Sequence, residues 1–171
     1  RFDTDDGDGG RAAMGLMSSV AATPASAAPV AAPVTLTEYD VEEIEGIGKG
    51  FGKRLRALQI ETTQDLLAKC NSESAVADIG NALGLEATVI KTWVSMADLL
   101  RVPEIGGQYA ELLEWSGIHG VQQLAQQQAE ALAVHIEQTN VEQRRTGNVP
   151  DAATLAEWID AAKTLPEVVK F

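Results

Sequence analysis

Apolar residues recur three and four apart along most of residues 38–171, and no stretch shows sustained strand-like alternation. Val41 and Ile44 predict a first short helix over Glu38–Glu45. A helix-grade run follows at Lys53–Leu58, with Phe51, Leu55 and Leu58 on one stripe opposite Lys53 and Arg56, and Ile60 continues the apolar side. Thr62 reads as an N-cap with Asp65 three residues on as its capping-box partner, predicting a helix to about Cys70. Asn71-Ser72 reads as a turn. The next helix, Ala75–Leu83, carries Val76, Ile79 and Leu83 on one face and stops at Gly84. A longer one from about Glu86 to Leu100 carries Val89, Ile90, Trp93, Met96, Ala97 and Leu100 and is ended by Pro103.

The pattern then returns. IGGQYAELLEWSGI from Ile105 aligns with IGKGFGKRLRALQI from Ile47 at an offset of 58, so that Phe51 matches Tyr109, Leu55 matches Leu113, Ile60 matches Ile118 and Leu66 matches Leu124. EWIDAAKTL at Glu157 aligns with TWVSMADLL at Thr92 at an offset of 65. The seven extra residues fall in the polar stretch Asn140–Asn148. Two copies of one helical unit are expected, over residues 38–101 and 102–171, related by a pseudo-twofold axis.

Residues 1–37 have a different character. DTDDGDGG, Asp3–Gly10, has the look of a calcium loop, but no Glu closes it and Gly7 stands where a ligand belongs. Thr23–Val34 is an Ala/Pro linker suited to extended polyproline geometry. Between them Met14, Leu16, Met17 and Val20 form a short apolar run that reads as a docking anchor for a partner.

Composition narrows the function. With 45% hydrophobic residues the chain can bury a core, and its formal charge is −12. That charge is spread as −2 over residues 1–37, −5 over 38–100 and −5 over 101–171, so no segment has the basic balance of a dedicated nucleic-acid binder. Cys70 is the single cysteine, which offers no disulfide framework and points to a reducing compartment. No apolar run reaches the roughly 18 residues of a membrane span. The expected setting is cytoplasmic, of bacterial type, and the chain beginning at Arg1 reads as part of a longer or processed product.

The candidate chemistry centres on Ile44–Leu58, IEGIGKGFGKRLRAL. Alternating glycines before a helix leave backbone N–H groups free to hold an anion. Gly46, Gly48, Lys49, Gly50, Gly52, Lys53, Arg54 and Arg56 are therefore the candidate phosphate or nucleic-acid contacts, and no acid lies between Gly46 and Ile60. The stretch is not a Walker A loop, because Ile47 stands at the required first glycine and Arg54 where Ser or Thr is needed. No strand precedes it, against a dinucleotide site. In the second copy Gly107, Gln108, Glu111 and Glu114 occupy the corresponding positions, which reads as structural. Trp93 and Trp158 match each other on core stripes, whereas Trp115 corresponds to Ala57 and is a candidate partner contact. His119 and His135 are not at metal-ligand spacing and have no recognisable nucleophile or acid partner. No catalytic residue, metal site or cofactor is expected, and no small-molecule substrate is inferred.

The glycine stretch fits the hairpin of a helix-hairpin-helix motif, h-x-G-h-G. More broadly, YDVEEIEGIG, TTQDLLAKC, WVSMADLLRV, PEIGGQYAELLEWSGI and the terminal EWIDAAKTLPEVVKF resemble the bacterial family DUF4332, related to helix-hairpin-helix domains. The resemblance covers Tyr39–Phe171 and implies an all-α fold of tandem helix-hairpin-helix units behind an extended N-terminal tail, with no established activity. The family's basic run before its last proline is diluted here, Arg144-Arg145 being followed by Thr146-Gly147-Asn148. The expected function is a non-catalytic protein-interaction or scaffold module, a structural subunit of a larger assembly tethered by its tail. The alternative is weak, sequence-independent nucleic-acid binding through the first glycine hairpin, without membrane contact.

Overall fold

The computed structural model describes residues 38–171 with the exception of Arg145, and these form one compact unit. The tail and its anchor candidates Met14, Leu16, Met17 and Val20 lie outside the described residues. Eight α-helices follow a short 3-10 turn: α1 Gly48–Ala57, α2 Thr63–Lys69, α3 Glu73–Leu83, α4 Ala87–Leu99, α5 Gly107–Trp115, α6 Val121–Ala125, α7 Ala129–Gln143 and α8 Ala152–Thr164. No strand occurs among the described residues; one isolated antiparallel bridge joins Asp40 and Thr62. No helix among them is long and apolar enough to cross a membrane.

Most boundaries follow local chemistry. Thr62 and Asp65 form a complete capping box at α2. Ser72 caps α3 through the Ala75 N–H, and α3 ends on Gly84 in the left-handed region. Asp151 caps α8 through the Thr154 N–H.

Two expectations at the start are corrected. The first helix is only the turn Val41–Glu43. Asp40 accepts from the Glu42 N–H, while the backbone on either side pairs across, Val41 N–H to Glu61 O and Thr63 N–H to Tyr39 O, both at 2.9 Å. These two bonds pair residues 39–41 with residues 61–63 in an isolated bridge just before the turn. Conversely, α1 starts at Gly48 and not at Lys53. Only Gly46 (φ 95°) and Gly48 (φ 56°) take the left-handed backbone, and Gly50 and Gly52 are helical residues. After Gly120, α6 ends at Ala125, and Gln126–Gln128 connect it to α7.

The core is continuous from Val41 to Leu165. Its fully buried leucines and isoleucines, such as Leu55, Ile60, Leu66, Ile90, Leu113 and Leu124, each contribute about 1.5–3 kcal/mol by leaving water. Helix α4 packs on α2 and α3, α8 packs on α6 and α7, and α4 also meets α5. Phe51 and Trp93 stack tilted with centroids 5.5 Å apart, and so do Tyr109 and Trp158 at 5.2 Å.

Candidate functional site

The anion-site candidates do not end in one place. The Arg56 guanidinium pairs with the Asp40 carboxylate at 2.8 Å and also with Glu42. The Glu42 N–H and then Arg56 hold the Asp40 carboxyl below the usual carboxylate range. Gly52 is buried beneath the Glu42 side chain, where an added Cβ would collide with it. Arg54 donates to the Ala82 carbonyl at 3.3 Å and lies 5.9 Å from the Phe51 ring centroid. Lys49 and Lys53 are exposed and form no ion pair with a described residue, and Gly46, Gly48 and Gly50 are exposed beside them. Residues 46–60 are free of acids in sequence, yet Asp40 and Glu42 reach Arg56 in space across 16 and 14 residues.

Next to Gly46 the surface opens into a groove of about 480 Å³ between the loop before α1 and helices α4 and α5. Phe51, Val89, Trp93, Met96 and Trp115 supply its apolar lining, and Glu45, Glu111 and Glu114 line it with carboxylates. Gly46 is needed at its edge for its backbone: its φ of 95° is unfavourable for other residues, whereas a Cβ there would make only an ordinary 3.5 Å contact with Trp93 Nε1. Trp115 stands half exposed at 50%, unlike Trp93 and Trp158, which are buried. Trp115 lines the groove beside the Phe51–Trp93 pair.

Glu114 is the groove's most constrained charge. Its side chain is 13% exposed, and Oε1 meets His119 Nδ1 at 2.9 Å, which corrects the expectation that His119 has no acid partner. Oε2 is buried without a hydrogen-bond partner among the described residues. Burial pushes the carboxyl above its ordinary range, and the His119 hydrogen bond only partly opposes this. Sequence reading missed this acid as a site residue. Its alignment with Arg56 marked a charge reversal, but its burial depends on α5 packing against α4.

A second cluster missed in the sequence is structural. Asp98 and Arg101 form a buried pair at 2.6 Å, each side chain 4% exposed. Asp98 Oδ2 accepts the Val121 N–H at 2.9 Å, and Arg101 donates to the Pro166 carbonyl at 2.8 Å. The pair thus ties α4 to the start of α6 and to the C-terminal segment. His135 Nε2 meets the Ser116 carbonyl at 3.0 Å, and no group of three His, Cys, Asp or Glu able to hold a metal occurs among the described residues. Cys70 is fully buried, and burial pushes its thiol up to about 11, well away from the thiolate that reactive cysteines require.

No curated protein and no solved structure matches the chain. Residues 45–165 match the family described as Domain of unknown function (DUF4332), and that span includes α1 to α8 and the whole groove. A match over most of its length places the chain in that family: it is a DUF4332 protein.

Proposed function

We propose that this protein is a non-catalytic interaction module, a structural subunit of a larger assembly, and that its partner is held in the groove between α1, α4 and α5. The observation that carries this reading is the groove itself, an aromatic and thioether floor opening on solvent beside a half-exposed Trp115. Exposed tryptophan beside an apolar depression is the typical anchor of a protein contact. We read the scaffold as two helix-hairpin-helix units related by a pseudo-twofold axis. Helix α1 corresponds to α5, α2 to α6, α3 to α7 and α4 to α8, and the tilted ring pairs recur at the same two offsets as the sequence. The bonds from the Ile60 N–H to Leu55 O and from the Ile118 N–H to Leu113 O, both 2.9 Å, recur likewise.

The test uses the full chain as bait with Trp115→Asp as control, followed by cross-linking of what is retained. Partners should be retained by the wild-type chain with cross-links around the groove, and lost with Trp115→Asp while the circular dichroism stays unchanged. Equal retention by both would remove the groove from the function.

The second reading, nucleic-acid contact through α1, is supported by the exposure of Lys49 and Lys53 at the helix start. It is weakened by the commitment of Arg56 to Asp40 and Glu42, and by Glu45 beside Gly46. Low-salt gel shifts decide it. Binding should disappear when Lys49, Lys53 and Arg54 are replaced together and should fall steeply with salt; an absence of any shift at low salt ends the reading.

A further inference from the structure

We infer that the groove recognises a cationic anchor: a partner segment that presents a lysine or arginine flanked by aliphatic residues, its alkyl stem on the Phe51, Trp93 and Met96 floor and its charged head against Glu45 and Glu114. This rests on the interaction-module reading and adds the chemistry of the partner.

Three observations select a cation over an apolar or anionic occupant. First, among the described residues the groove is lined by carboxylates and by no basic side chain. An anionic segment would be repelled at close range, and the chain's net charge of −12 would oppose its approach. Second, Glu114 keeps Oε2 buried and without a hydrogen-bond partner among the described residues. A buried acceptor left unmade is costly, and a purely apolar occupant would leave it so. Oε2 has essentially no solvent-accessible surface in the groove as it stands, so the Glu114 carboxylate must rotate towards the groove as the anchor enters, where a guanidinium or ammonium satisfies it with a charge-assisted bond. Third, the floor accepts such a group in principle. The protein's own Arg54 already lies 5.9 Å from the Phe51 centroid, a cation–π distance. A long basic side chain has both parts that this surface asks for, an apolar stem and a charged tip. The volume, about 480 Å³, is ample for one such side chain and its immediate neighbours.

The experiment selects binders of the immobilised full chain from a random-peptide display library and measures the affinity of the selected peptides as synthetic probes. The expected peptides carry Lys or Arg between aliphatic residues. Their binding should weaken roughly tenfold when Glu45→Gln and Glu114→Gln are combined, since each lost charge pair removes a severalfold factor. The same loss should follow when the peptide's basic residue is replaced by norleucine, with no further loss when both changes are made together. Circular dichroism of the protein variant should be unchanged. Peptides without a basic residue, bound in a manner sensitive to Trp115→Asp, would overturn the cationic anchor and leave the groove as the partner site. Peptides insensitive to all three substitutions, or no selected peptide at all, would overturn both readings.

Discussion

Helix α2 begins on a cap supplied by its own neighbours in sequence, whereas α6 begins on a carboxylate that arrives from another helix. At α2, Thr62 Oγ1 accepts the Asp65 N–H, and Asp65 Oδ2 accepts the Thr62 N–H at 3.1 Å and the Glu61 N–H at 3.0 Å. At α6 the N-cap is Gly120, which has no side chain to offer, and the Val121 N–H goes instead to Asp98 of α4. Gly120 is required there: its φ is 143°, and a Cβ would stand 2.7 Å from Asp98 Oδ2. The difference teaches how the two halves are built. The first can start its second helix locally, while the second depends on α4 being in place, because Asp98 is at once the cap of α6 and the counter-ion of the buried Arg101.

The largest effect should therefore come from Asp98→Ala. It leaves Arg101 buried without its counter-ion and α6 without its acceptor, which should cost about 3–5 kcal/mol of unfolding free energy in urea titrations. A loss under about 1 kcal/mol would mean that α6 does not depend on α4, and the contrast would collapse. Thr62→Ala should cost about 1 kcal/mol, as a local cap does. If it cost as much as Asp98→Ala, the first half would be no more self-sufficient than the second.

The smallest effect concerns Glu114 and is read in pH. Burial raises its folded-state affinity for a proton above that of the unfolded chain, whose carboxyl keeps its ordinary value of 4.5. The folded protein thus binds more protons in this interval, so this group's penalty is fully present above its raised pKa and is relieved as pH falls through it towards 4.5. Asp65 acts in the opposite sense. Backbone hydrogen bonds from Glu61 and Thr62 lower it below 3.8, and its contribution is lost only as pH falls through that lowered value. Glu114→Gln should therefore make the variant slightly more stable than the wild type at neutral pH, the gap closing towards pH 4.5 in paired denaturation curves. A gap that widens on acidification would show that the His119 contact, and not burial, governs this carboxyl.

The two ring pairs extend the same comparison to function. Phe51–Trp93 and Tyr109–Trp158 have nearly equal geometry, with interplanar angles of 58° and 56°. Only the first pair borders the groove, because Trp115 and the acids of α5 come up beside it. The corresponding residue in α1 is Ala57, which builds no such wall, and the basic α1 contrasts with an α5 that carries Glu111 and Glu114.

Local chemistry made much of this legible in advance. The Thr62–Asp65 box, the Gly84 stop, the helical stripes over Val76–Leu83 and Ile90–Leu100, and the recurrence at 58 and 65 all depend on residues within a few turns of one another or on plain self-similarity. An all-helical chain of the DUF4332 family follows from them. What only the tertiary structure decided are the contacts between residues far apart in sequence. Asp40 and Glu42 take Arg56 out of the candidate anion site, Asp98 caps a helix 23 residues away, and the α4–α5 contact turns Trp93 and Trp115 into two walls of one groove. Periodicity says which side of a helix is apolar, but not which charge meets it or where two apolar sides fail to close. That outcome depends on the angle and distance at which whole helices pack, set by the shapes of many side chains at once.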